Sequence, residues 1–177
     1  MKTMRKMMYV LFGVLFLATF SCRDDDDDSG TGGGSATVAT GKCIINANIS
    51  GNISTTFNSD INLSTTVSQE GYVAMVGIKM KNTTTASTFQ VWLPKTIGVG
   101  TYSVTQLLNM GVGSAIVYVD NSSDSSTGYV AGAMDNNNFT LKVTSSGGGK
   151  LEGTFTGDMI NINNKKITVS GDFKGAY

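Results

Sequence analysis

The chain has 177 residues, with 13 basic and 13 acidic side chains, two cysteines, one tryptophan, one proline and no histidine. A Ser-His-Asp or Cys-His machine therefore lacks its base, and a Cys/His zinc centre lacks its ligands. Balanced charge offers no basic face to the phosphates of a nucleic acid, so no nucleic-acid partner is expected.

The first element is a leader. "MKTMRK" places Lys2, Arg5 and Lys6 ahead of an apolar run over 7–20, shorter than the roughly 20 residues a bilayer core requires. A cationic start with a short apolar core predicts a secretory signal over 1–21 rather than a membrane span. It ends in "ATFSC", which resembles the lipobox of bacterial lipoproteins, although Phe20 and Thr19 depart from the commoner leucine and alanine. The resemblance implies removal of the signal before Cys22 and lipid attachment at Cys22. The alternative is an ordinary cysteine beside a normal cleavage site. Two or more acyl chains hold a protein stably on a membrane, because each buried methylene contributes about 0.8 kcal/mol.

Asp24, Asp25, Asp26, Asp27 and Asp28 follow as an unbroken acidic run. Like charges repel, so this stretch is expected to stay extended and solvated. "CRDDDDD" also resembles the acidic export signal behind the acylated cysteine of many Bacteroidota lipoproteins, with Arg23 as an intrusion. That resemblance implies display on the outer face of the outer membrane; the alternative is retention on the periplasmic side. "SGTGGGSATVATG" completes a linker over 22–41, and a flexible chain of that length spans roughly 25 Å.

A single domain is expected over 42–177. Its nine lysines and eight acids leave it close to neutral, and its Thr, Val, Ile, Gly and Asn content is that of strands and turns. With Cys22 acylated, Cys43 is the remaining thiol, expected as a small buried hydrophobe at the start of "CIINANIS".

Strands follow in order. "STTFNSDINLSTTVSQ" puts Phe57, Ile61, Leu63 and Val67 on odd positions, with a break near Asn58. "GYVAMVGIKMK" sets Tyr72, Ala74, Val76, Ile78 and Met80 on one face, against Val73, Met75, Gly77, Lys79 and Lys81 on the other. "TFQVWLP" places Phe89, Val91 and Leu93 opposite Gln90 and Trp92, and Pro94 ends the ladder. "VTQLLNMG" is the one helical candidate, of a turn or two. After "SAIVYVDN" and "GYVAGAM", "FTLKVTS" aligns Phe139, Leu141 and Val143, and "KLEGTFTG" aligns Leu151, Gly153 and Phe155. "KITVSGDF" then aligns Ile167, Val169, Gly171 and Phe173. "MININ", the turn "NNK" and "KITVSGDF" form a terminal hairpin, so "FTLKVTSSGGGKLEGTF" and "ININNKKITVSGDF" read as two successive hairpins of a meander. The expected fold is all-β, an antiparallel β-sandwich or barrel-like meander of about nine to ten strands.

"GTYSV", "KLEGTFTG" and "KKITVSGDF" together resemble a family of small Bacteroidota lipoproteins whose all-β domain has no assigned function, with "SGDF" standing where that family tends to have "NGKF". The resemblance implies a lipoprotein domain and transfers no catalytic residue.

Remaining chemistry is sparse. The acids Asp60, Glu70, Asp120, Asp124, Asp135, Glu152, Asp158 and Asp172 lie mostly beside turns. "DNSSDSSTG" offers oxygens at Asp120, Ser122 and Asp124, weakly like a calcium loop, but lacks the EF-hand glycine and glutamate. A solvated hairpin loop is the plainer account, and no metal or cofactor is expected. Trp92 with Tyr72, Tyr102, Tyr118 and Tyr129 offers an aromatic platform for sugars or peptides; Trp92 is a ligand contact if its face is open to solvent, and core if both faces are covered. The expected function is a surface lipoprotein, not an enzyme, that binds an outer-membrane protein or a glycan. The alternatives are a barrel-type carrier of an apolar ligand and a structural component of a surface assembly.

Overall fold

The computed structural model describes residues 38–110, 115–121, 127–132 and 138–177. The signal, Cys22, the five aspartates and the linker up to residue 37 lie outside the described residues, as do Ser122, Asp124 and Asp135. No helix among the described residues is long and apolar enough to cross a membrane.

Eleven antiparallel strands form one sheet: β1 (Cys43–Gly51), β2 (Thr55–Asn58), β3 (Thr65–Gln69), β4 (Tyr72–Met80), β5 (Ala86–Pro94), β6 (Gly100–Ser103), β7 (Ala115–Val119), β8 (Gly128–Ala131), β9 (Phe139–Gly147), β10 (Lys150–Asn161) and β11 (Lys166–Ala176). One short helix, α1 (Val104–Asn109), follows β6. "TTFNSDINLSTTV" divides at its break near Asn58 into β2 and β3, leaving Ile61 and Leu63 exposed in the connecting loop, whereas "KLEGTFTG" and the start of "MININ", expected as separate strands, run on as the single strand β10. The folded unit also begins earlier than expected. Val38 is buried, and the Gly41 N–H donates to the Ala176 carbonyl at 2.8 Å.

The sheet path runs β2-β1-β11-β10-β8-β7-β5-β4-β3, and β10 is its fork. One edge of β10 pairs with β11 throughout; the other pairs with β9 as far as Gly157 and with β8 from Met159. Asp158 sits at the fork. Its N–H donates to the Asn138 carbonyl, and its carboxylate accepts from the Thr168 hydroxyl at 2.7 Å, the Asn138 amide at 3.1 Å and Lys166 Nζ at 3.2 Å. Helix α1 packs beside this split and buries Val104 and Leu107, with a Val104 methyl where a side chain on Gly132 would stand. A capping box starts α1: the Ser103 hydroxyl accepts from the Gln106 N–H, and the Gln106 side chain accepts from the Ser103 N–H.

The sheet curls until its two ends approach, which makes it barrel-like rather than a two-sheet sandwich. At the seam, the Thr66 N–H donates to the Gly41 carbonyl at 2.8 Å. Further along, the β2–β3 loop substitutes for strand pairing. Ser59 takes both backbone groups of Ile45 on β1, its hydroxyl accepting from the Ile45 N–H at 2.8 Å. On β4, the Ile78 N–H donates to the Ser64 hydroxyl at 3.0 Å, and the Ile78 carbonyl accepts from the Asp60 N–H at 2.8 Å.

Alternation fills the interior. Ile45, Phe57, Met75, Phe89, Leu141, Phe155, Met159, Val169 and Phe173 are among the residues of one buried cluster. An aromatic chain crosses it: Phe139 and Phe155 at 6.3 Å, Phe155 and Phe89 at 4.8 Å, Phe89 and Tyr118 at 5.8 Å, then Tyr118 and Tyr129 at 6.4 Å. Both tyrosines place their polar tips at hydrogen-bond partners, Tyr118 donating to Asp120 and Tyr129 accepting from Asn52.

Candidate functional site

The exterior of the curled sheet has two unlike halves. Over β6, β9, β10, β11, β1 and β2 the two central outward rows are polar, mostly hydroxyls and carboxamides with the charged Lys142 and Asp172 among them. One register row runs Ser103, Thr140, Thr156, Ser170, Asn48, Thr56. The next runs Thr101, Lys142, Thr154, Asp172, Asn46, Asn58. Strand geometry spaces such groups about 4.8 Å across the sheet and about 6.8 Å along a strand. Most of these side chains are exposed. An open hollow of about 420 Å³ lies among Thr101, Thr140, Lys142, Thr154, Thr156 and Ser170.

Over β3, β4, β5, β7 and β8 the outward positions are mostly apolar, buried at Ala74, Thr88, Gln90 and Val119 and half-buried at Val76, Val117 and Val130. Val76, Gln90, Val117, Val130 and Ile160 share one row. Val67, Ala74 and Trp92 share another. Trp92 is half-buried and belongs to this outer face, not to the interior cluster. Its ring stacks on Tyr72, with centroids 5.4 Å apart and planes at 29°. Two glutamines fix the pair: the Trp92 indole donates to Gln90 at 3.1 Å, and the Tyr72 hydroxyl donates to Gln69 at 2.6 Å. The sequence groups Trp92 with Tyr72, Tyr102, Tyr118 and Tyr129; the register, with Ala74 opposite Trp92 and Tyr72 opposite Pro94, brings Tyr72 to Trp92, while Tyr118 and Tyr129 lie in the interior cluster and Tyr102 packs against it.

The other singled-out residues have structural partners. Asp120, the first oxygen of the calcium-like loop, accepts from Tyr118 at 2.7 Å and pairs with Lys81 at 2.7 Å. Two cation-competing donors thus already hold that carboxylate. Among the described residues no group of three or more Cys, Asp or Glu side chains is gathered as a metal site. Glu152 pairs with Lys174 at 3.3 Å, and Asp172 accepts from Asn46 at 3.1 Å. Asp158 is buried at the fork, with its carboxyl held below the usual range, first by the Thr168 hydroxyl and further by Asn138 and Lys166. Cys43 is fully buried, its thiol donates to the Thr65 carbonyl at 3.2 Å, and burial pushes its pKa up to about 11. A protonated, enclosed thiol is a poor nucleophile.

Comparison of the chain with known protein families, curated proteins and solved structures returns no match.

Proposed function

We propose that the chain is a lipid-anchored bacterial surface lipoprotein whose β domain binds a hydroxyl-rich polymer, a glycan, without catalysis. The anchor and the outward address rest on "ATFSC" at Cys22 and on Asp24–Asp28. The binding reading rests on one observation: the two polar register rows, mostly hydroxyls and carboxamides with Lys142 and Asp172 among them, spanning six strands around the open hollow. Such groups both donate and accept, which suits sugar hydroxyls, and an open hollow suits a chain laid across it. The carrier alternative finds no support in an interior crossed by the Phe139–Phe155–Phe89–Tyr118 rings.

The test is retention on immobilised surface polysaccharide, with Thr154→Lys and Thr156→Lys placed in the hollow. Binding by the parent chain and its loss in the lysine variants is the expected result. A parent chain that is not retained, yet cross-links on intact cells to one outer-membrane protein, replaces the glycan with that protein partner. Absence of the protein from the protease-accessible surface of intact cells overturns the address.

A further inference from the structure

The Tyr72–Trp92 pair stands at the same end of the barrel as the point where the described chain begins. Strand β4 runs alongside β1 at the seam: Thr66, opposite Met75, bonds to Gly41, while Ile78 and Ile45 are tied to the same loop further on. Tyr72 therefore lies level with the first residues of the domain, next to Pro94 and the β5 exit. Lys95 follows there, its N–H donating to the Gly71 carbonyl, and Lys150 sits opposite Ala176, which bonds to Gly41. This end thus presents a stacked tyrosine and tryptophan, exposed Lys95 and Lys150, half-buried Lys42 and one acid in its turns, Glu70. Val99, in the loop after β5, is 67% exposed.

We propose that this end of the apolar face rests in the lipid headgroup layer, with Tyr72 and Trp92 at the interface and Lys95 and Lys150 beside the phosphates, while Lys42 Nζ donates to the Asn62 carbonyl at 3.0 Å. Tyrosine and tryptophan prefer that layer because each joins an apolar ring to a polar tip, and lysines reach phosphates with their stems on apolar surface. The occupant follows from where the chain leaves. Acylation at Cys22, on which this inference rests, sets Val38 16 residues from the anchor, a root-mean-square span of roughly 22 Å for a flexible chain. A weak surface contact at that end then acts at high effective concentration. Phe89 of β5 stacks across the interior on Phe155 of β10, so the hydroxyl face lies on the opposite wall and reaches the lipid-facing end only at Lys150, where β10 begins.

The sole tryptophan of the chain is the reporter. The mature protein is purified from membranes, the mass of its Cys22 peptide is measured, and it is reconstituted in phosphatidylethanolamine–phosphatidylglycerol vesicles with chains brominated near the headgroup. Expected are loss of Trp92 emission to the brominated lipid, a blue shift and reduced acrylamide quenching, all reversed in a Tyr72→Ser, Lys95→Glu, Lys150→Glu variant. Emission indifferent to bromine overturns the proposal, and so does protection of Trp92 that coincides with cross-links between copies. A Cys22 peptide without acyl mass removes the anchor reading alone. The unacylated chain is then titrated with the same vesicles, where quenching sustains the docking surface and its absence overturns it.

Discussion

Gly153 of β10 and Phe173 of β11 stand directly opposite each other, and the Phe173 ring occupies the space beside Gly153, 2.6 Å from where a Cβ would be. Two residues on, the relation is reversed: Phe155 covers Gly171, whose missing Cβ would meet the Asn46 carbonyl as well as the ring. Each glycine makes room for a neighbouring phenylalanine, and the aromatic chain across the interior starts from this pairing.

Gly171→Ala is therefore expected to destabilise the domain by about 2–3 kcal/mol, because the new methyl meets backbone on one side and a ring on the other. Gly71→Ala, in a turn with φ of 82° and no atom near the added methyl, is expected to cost only about 1 kcal/mol of backbone strain. Urea denaturation of both variants compares them. Equal losses would mean that Phe155 moves aside freely.

Closure at the seam makes a second prediction. Ser64→Ala removes the partner of the Ile78 N–H in a fully buried position. A loss of about 1–3 kcal/mol is expected, the cost of leaving a buried donor unpaired. Hydrogen exchange should localise it, with the Ile78 amide losing protection before the amides of β10 and β11.

Asp158 sets the acid limb. Its carboxyl is held below the unfolded carboxylate value of about 4 by the Thr168 hydroxyl first, so the folded state favours the ionised form. Its contribution is fully present above that unfolded value and is lost as pH falls through the native one. The urea midpoint is expected to fall more steeply below pH about 4 in the parent than in Asp158→Asn. Near neutral pH the variant itself is expected to be weaker by about 1–3 kcal/mol, the scale of hydrogen bonds to a charged group. Parallel pH profiles would show that the fork carboxylate titrates as in the unfolded chain.

Cys43 and Tyr118 set the alkaline limb. Burial raises both, Cys43 to about 11, and the Asp120 carboxylate that Tyr118 donates to raises the phenol further. Both keep their protons in the fold after the unfolded chain has lost them. Their contribution is complete below the unfolded values and declines as pH rises through the native ones. In a Cys22→Ser background, Cys43 is expected to stay unreactive toward a thiol reagent at pH 8 and to react at once in denaturant. Rapid labelling of the native protein would show that the seam beside Thr65 opens.

Alternation along β9, β10 and β11 was legible in the residues alone, because the side-chain period of a strand is local, whereas "CIINANIS" alternates imperfectly, with Ile44 on the face of Asn46 and Asn48. The glycine-phenylalanine parity of "EGTFTG" and "VSGDF" and the turn residues between them belong to the same local order. In β4 both faces are apolar, so period alone leaves undecided which one enters the core. The cleaner row from Tyr72 to Met80 turned out to face outward, because Val73, Met75 and Gly77 meet Leu93, Val91 and Phe89 across β5 while Gly77 has room only for Ile45 and Ser59 behind it. That choice, the pairing of Tyr72 with Trp92, the fork at Asp158 and the curl closed by Ser59 and Ser64 all join residues far apart in the chain. Such contacts exist only once the sheet has bent back upon itself, and no local pattern encodes them.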